Sequence, residues 1–184
     1  MRVRDLEFQI PIPSLPNDPS KPDYSVVRKA WWDIINLTYE DDATPMRLTM
    51  ELRIMGDSNL IMAPQSGNTH GTASIEVLSI PDAVSDDEWI PFLQRVSDKW
   101  MSYTDGRGEK LNIRPHWAKE WESINMRGLP ARQFLKEVAY KDAIPEFKSL
   151  LAEIGEGQGW QLVDLKERFS NELWDYLIFG ENGA

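Results

Sequence analysis

The sequence predicts an α+β domain, an antiparallel β-sheet with helices packed on one side. Three observations carry this. Short runs at residues 5–10 and 46–54 alternate apolar with polar side chains, the signature of half-buried strands. Turn-forming residues, not regular crossover helices, separate the strand-like runs, which favours a meander over βαβ units. Apolar residues recur at helical spacing near residues 23–36 and 86–100. With 184 residues and 41% hydrophobic composition, the length fits a single domain. Such a domain buries about two-thirds of its unfolded surface without disulfide or metal staples.

The elements follow in order. In RDLEFQI, Leu6, Phe8 and Ile10 alternate with Asp5, Glu7 and Gln9, a short half-buried strand. Residues 11–23 hold five of the twelve prolines and read as an ordered loop or linker, because proline removes backbone donors and fixes φ. Val26, Val27, Ala30, Trp31, Ile34 and Ile35 then mark a helix that Asp23 or Ser25 could cap. The cleanest alternation is MRLTMELRI. Met46, Leu48, Met50, Leu52 and Ile54 share one face, the first four expected to pack under helices, with Arg47, Thr49, Glu51 and Arg53 on the other. A turn at residues 56–59 and a loop lead to a second strand near residues 72–80. Ser85 and Glu88 have capping-box spacing and open a helix striped with Trp89, Leu93, Val96 and Trp100. Pro91 fits best if that helix starts at Asp87. A short extended piece, LNIRPHW, follows the turn at residues 105–108. The rest reads as helical: residues 130–140 opening at Pro130, residues 145–154 stopping at Gly155, and a last segment over 170–179.

Composition removes several functions. A net charge of −10, from 30 acidic and 20 basic residues, offers no domain-wide positive field for nucleic acid. It offers no polybasic membrane anchor either. Without cysteine there is no disulfide, zinc–thiolate site, iron–sulfur cluster or Cys nucleophile. His70 and His116 are the only histidines, so a His-based metal site would need carboxylates to complete it. No apolar run is long enough to span a membrane and the first residues lack a secretory pattern, so the expected location is cytoplasmic.

Two clusters carry candidate chemistry. Glu51 and Arg53, two apart on one strand face, set a carboxylate beside a permanently charged guanidinium, and Arg47 and Thr49 extend the stripe. The plain reading is a solvent face with an ion pair; the functional one is a surface that holds an oxygen-rich substrate. Arg114-Pro115-His116-Trp117-Ala118-Lys119 puts a stiffened chain, an aromatic plate and a cation within six residues. That suits a sugar-like ligand, although a half-buried turn with snorkelling side chains would look alike.

Together the clusters resemble a family. R-P-H-W-A-K is similar to the H-W-[AG]-K motif near the C-terminus of the sugar-lactone oxidases (gulonolactone, galactonolactone and arabinonolactone oxidases) and the related bacterial alditol oxidases. These are flavoproteins of the vanillyl-alcohol-oxidase-like group, with an FAD-binding domain followed by a substrate-covering cap. Their E-x-R strand precedes that motif by about sixty residues, as Glu51-Leu52-Arg53 precedes His116-Trp117-Ala118-Lys119 here. GDSNLIMAPQSG looks like the segment after E-x-R, RDLEFQIPIP like the opening strand of the cap, and ERFSNELWDYLIFG like the closing segment. The last lacks the family's D-P pair. The likeness covers about residues 3–179 and is weakest over 125–165.

The resemblance implies a cap-domain-like fold, residues 1–184 as one cap domain, and a place in an oxidoreductase similar to D-arabinono-1,4-lactone oxidase. Arg53 and Lys119 would hydrogen-bond the reacting hydroxyl of a sugar lactone or polyol, and Glu51 would orient Arg53; these three are the candidate catalytic residues. Arg47, Thr49, His116 and Trp117 would line the substrate site. FAD would belong to a parent enzyme or partner chain, and an FAD-binding domain in cis or in trans is the implied partner. The chain itself shows no Gly-rich diphosphate segment, so it reads as a truncated or excised cap, inactive and free of FAD alone. The alternative is a non-catalytic binding or protein-interaction module derived from such a cap. A homo-oligomer fits either reading.

Overall fold

The computed structural model describes residues 3–180, and they form two compact units, residues 3–59 with 63–131 and residues 60–62 with 132–180. The fold is α+β. In the first unit a four-stranded antiparallel sheet has the order β4-β5-β1-β6. Strand β1 is Arg4–Pro11. The proline-rich stretch after it folds into a small hairpin of β2 (Ser14–Leu15) and β3 (Asp18–Pro22). Helix α1, Ser25–Tyr39, follows, its first turn steadied by the Ser25 N–H donating to Asp23 Oδ1 at 2.9 Å. Then come β4 (Glu51–Met55), β5 (Thr72–Ser79), α2 (Asp86–Met101) and β6 (Arg114–Pro115). A hairpin of β7 (Asn125–Met126) and β8 (Leu129–Pro130) closes the unit, turning through Arg127 and Gly128 at positive φ.

Sheet register sorts the side chains. Leu6, Phe8 and Ile10 of β1 lie opposite Val77, Ile75 and Ala73 of β5, and all six are buried. Helices α1 and α2 cover this apolar face. The Trp100 ring meets Phe8 edge-on at 5.7 Å, and its indole N–H donates to the Ala30 carbonyl of α1 at 3.1 Å. Burying each such large side chain contributes about 1.5–3 kcal/mol. Ser85 caps α2 in the expected box: Glu88 accepts from the Ser85 N–H and hydroxyl at 2.9 and 2.8 Å. The helix begins at Asp86, one residue earlier than Pro91 favours, and carries Pro91 in its second turn.

The strand expected over 46–54 is shorter and displaced. Only Glu51–Met55 ladders with β5, and the chain before it is tied down differently, by the Ser79 hydroxyl donating to the Pro45 carbonyl at 2.6 Å. Because β4 is an edge strand, Leu52 and Ile54 share the apolar face yet are 40% and 53% exposed. They do not pack under helices, and Met46, Leu48 and Met50 are only half-buried.

The second unit is helical. Helix α3, Ala131–Phe134, widens into a π-type turn over Leu135–Ala139. Helix α4, Ala143–Gln158, runs through Gly155 and stops at Gly159, whose φ of 79° provides the left-handed cap. Gly155 does not end the helix, because its role is close packing: a Cβ there would collide with the Trp160 carbonyl and ring. Helix α5, Leu162–Phe169, was not expected, and the final segment is a short α6 (Glu172–Trp174) followed by a π-type turn to Phe179. No helix among the described residues is long and apolar enough to cross a membrane.

Candidate functional site

The opposite face of the sheet is polar yet covered. Its register stacks charged residues in rungs. Glu7 of β1, Glu76 of β5 and Glu51 of β4 lie side by side across three strands. The next rung is Arg114, Gln9, Ser74 and Arg53 across all four. Like charges directly opposite one another destabilise a sheet, and Glu7 and Glu76 expose only 5% and 2% of their side chains. Cations must therefore reach them.

Two do, from different parts of the chain. Arg53 turns back over the neighbouring acidic rung, donating to Glu51 and to Glu76 Oε2 at 3.4 Å, with Glu7 Oε2 at 3.7 Å. Lys119 arrives from the loop after β6, donating to Asp5 Oδ2 at 2.8 Å and Glu76 Oε1 at 2.5 Å, with Glu7 Oε2 at 3.9 Å. The two cations thus grip opposite oxygens of one carboxylate. Glu51, Arg53 and Lys119 share a sheet face and converge on Glu76.

Hydrogen bonds extend the cluster inward. The Gln9 amide donates to Glu7 Oε1 at 2.8 Å and to Ser74 Oγ at 2.7 Å, while the Ser74 hydroxyl donates to Glu7. Gln65 donates to Gln9 Oε1 at 3.0 Å. Gln65 lies in a loop fastened by the Arg114 guanidinium, which donates to the carbonyls of Ala63, Pro64 and Ser66 at 2.9–3.3 Å. Low polarity raises the value of each satisfied bond, so the network fixes its members in place.

Burial and pairing set the protonation. Burial pushes the Asp5 carboxyl above the usual range, partly offset by its bond to Lys119. For Lys119, burial works against the charge, but the bonds to Asp5 and Glu76 outweigh it and hold the ammonium above the ordinary lysine value.

The remaining candidates are placed differently. Arg47 and Thr49 precede the strand and are exposed, and Arg47 donates back to the Thr44 carbonyl, so neither extends the stripe. The His116 backbone N–H donates to the Glu7 carbonyl at 2.9 Å. Its Nδ1 accepts from the Ala118 N–H at 3.2 Å, a contact that shapes the turn that delivers Lys119. Trp117 is half-buried, its ring edge-on to Trp121 at 6.1 Å and its carbonyl accepting from the Trp121 indole at 3.2 Å. Sequence reasoning missed Asp5, Glu7, Gln9, Ser74 and Glu76. Their alternation was visible, but a polar strand face normally means solvent.

Chemically, the face offers donors and acceptors within one hydrogen bond of each other. Asp5, Glu7, Glu51 and Glu76 face Arg53 and Lys119, four carboxylates to two cations. That surplus repels a diphosphate, so the donor set does not fit FAD. No group of His, Asp or Glu among the described residues is arranged to hold a metal ion. No family model, curated protein or solved structure matches the chain.

Proposed function

We propose that the chain is a substrate-binding cap domain, similar to the C-terminal part of FAD-linked sugar-lactone and alditol oxidases, and that the polar sheet face holds a hydroxylated, sugar-like substrate. The observation that carries this is the meeting of Arg53 and Lys119 on Glu76 beside Glu51, from positions far apart in the chain. A polyol presents hydroxyls that both donate and accept. Half-exposed Arg53 and Glu51 form the accessible donor–acceptor pair. Lys119 has three N–H groups, two of them given to Asp5 and Glu76, and the third would reach a substrate oxygen. Placed so, the two cations would hold and orient that oxygen by hydrogen bonding. Glu7 and Glu76 keep both cations aimed and paired, the supporting shell that a preorganised site needs.

In this reading the flavin, which accepts the hydride when bound to its own domain, lies in another segment or a partner chain. The experiment is a titration of the full chain with D-arabinono-1,4-lactone and with xylitol, followed by NMR of backbone amides. Shifts at residues 51–53, 74–76 and 117–119, lost in Arg53→Lys, are expected, since a lysine cannot reproduce the planar fork. No shift at millimolar ligand, or shifts unaffected by that substitution, would overturn the proposal.

A further inference from the structure

The free edge of the sheet carries a pattern complementary to itself. Strand β4 pairs with β5, and no strand among the described residues pairs its outer side. Leu52 and Ile54 stand 40% and 53% exposed there, while their cross-strand neighbours Ile75 and Ala73 are fully buried. An unpaired, partly apolar edge is a template for another strand.

We propose that a second copy of this chain occupies it, β4 against β4, antiparallel, about a two-fold axis at Leu52. Charge selects this register. In an antiparallel pair, facing residues share a sheet face, so the axis falls on a residue. Centred on Arg53, guanidinium faces guanidinium; centred on Glu51, carboxylate faces carboxylate. Centred on Ile54, Arg53 faces Met55 and Glu51 faces Asp57. Centred on Leu52, Glu51 of each copy faces Arg53 of the other and Leu52 faces Leu52, while Ile54 runs beside Met50, just ahead of the other copy's strand. This is the register that pairs opposite charges on one face and apolar side chains on the other. The result is a continuous eight-stranded sheet, and the isologous contact closes at two copies. A strand this short buries less than the roughly 1,600 Å² of a standard interface, so association in the range of about 10–1,000 μM is expected. The inference does not rest on the functional reading.

The chain has no cysteine, which makes the test clean. In Leu52→Cys the two thiols would sit directly opposite, with Cβ atoms about 4.5–5.5 Å apart, near disulfide range. In Ile54→Cys they would lie about four residues apart along the strands, roughly 13 Å. Under oxidised glutathione, Leu52→Cys should form the covalent dimer about tenfold faster than Ile54→Cys, and about 1 M salt should narrow that ratio by screening the Glu51–Arg53 pairs. Sedimentation of the unaltered chain should show concentration-dependent dimer. Equal cross-linking rates, faster linking through Cys at 54, or a monomer throughout the concentration series would each overturn the proposal.

Discussion

Replacing Lys119 by methionine tests whether the polar face is a desolvated charge cluster or an ordinary surface. Methionine keeps the length of the stem and removes the ammonium. Asp5 would lose its ammonium partner, and Glu7 and Glu76 would share only Arg53, which is itself half-exposed and engaged with Glu51. Glu76 and Glu7, exposed by 2% and 5%, cannot recover water in place. Breaking a buried pair by removing one partner costs about 3–5 kcal/mol. Lys119 retains 20% exposure, so the lower end, about 3 kcal/mol, is expected. With a urea m value of about 2 kcal/mol/M, the midpoint should fall by roughly 1.5 M. Glu51→Gln is the control: it breaks a pair exposed by 48% and 50%, expected to matter by about 0–1 kcal/mol. Acid supplies a second check. Protonating a carboxyl removes one of the like charges, so the penalty should shrink between about pH 8 and about pH 4. A Lys119→Met loss no larger than that of Glu51→Gln, or a loss unchanged by pH, would refute the reasoning.

Three further outcomes are expected. Lys119, held above the ordinary lysine value, contributes stability that is fully present below the unfolded pKa and is lost as pH rises through the folded one; an NMR titration of its side chain should show the raised value, and Asp5→Asn should lower it. Gly71→Ala should cost about 1–3 kcal/mol in urea unfolding, because Gly71 has a φ of 93° and a Cβ would lie 2.6 Å from the Met55 carbonyl oxygen. Trp100→Ala should cost about 3–5 kcal/mol by the same measurement, since it empties the contact with Phe8 and removes the indole bond to the Ala30 carbonyl.

What the sequence shows depends on whether the deciding interaction is local. The β1 alternation, the capping of α2 at Ser85 and the helical spacing of Val27, Ala30 and Ile34 are set by neighbours in the chain, and all are legible there. The run 46–54 alternates throughout, yet only 51–55 finds a ladder partner, and nothing in the run marks where pairing stops. Gly155 has the form of a helix stop, while its reason is Trp160 five residues on. The site divides in the same way. Glu51, Arg53 and Lys119 stand in recognisable local patterns. Glu7 and Glu76 matter only through registry between strands far apart in sequence, so as isolated residues they resemble solvent-facing acids.

The wide separation of these partners also governs how the sheet can assemble. Asp5 and Lys119 are 114 positions apart, and Glu76 precedes the same ammonium by 43. During synthesis β1 and Arg53 emerge first, and β5 can pair with β1 before Lys119, the second cation on their facing glutamates, exists. The early β1–β5 pair is therefore held by its apolar face and by Arg53, with its acidic face only partly neutralised. Closure waits for the late loop, which must cross a long span of chain at an entropic cost before any reward arrives. Such non-local dependence slows folding. It also makes residues 116–120 the last piece of the charge cluster to become available, after both glutamate strands and Arg53.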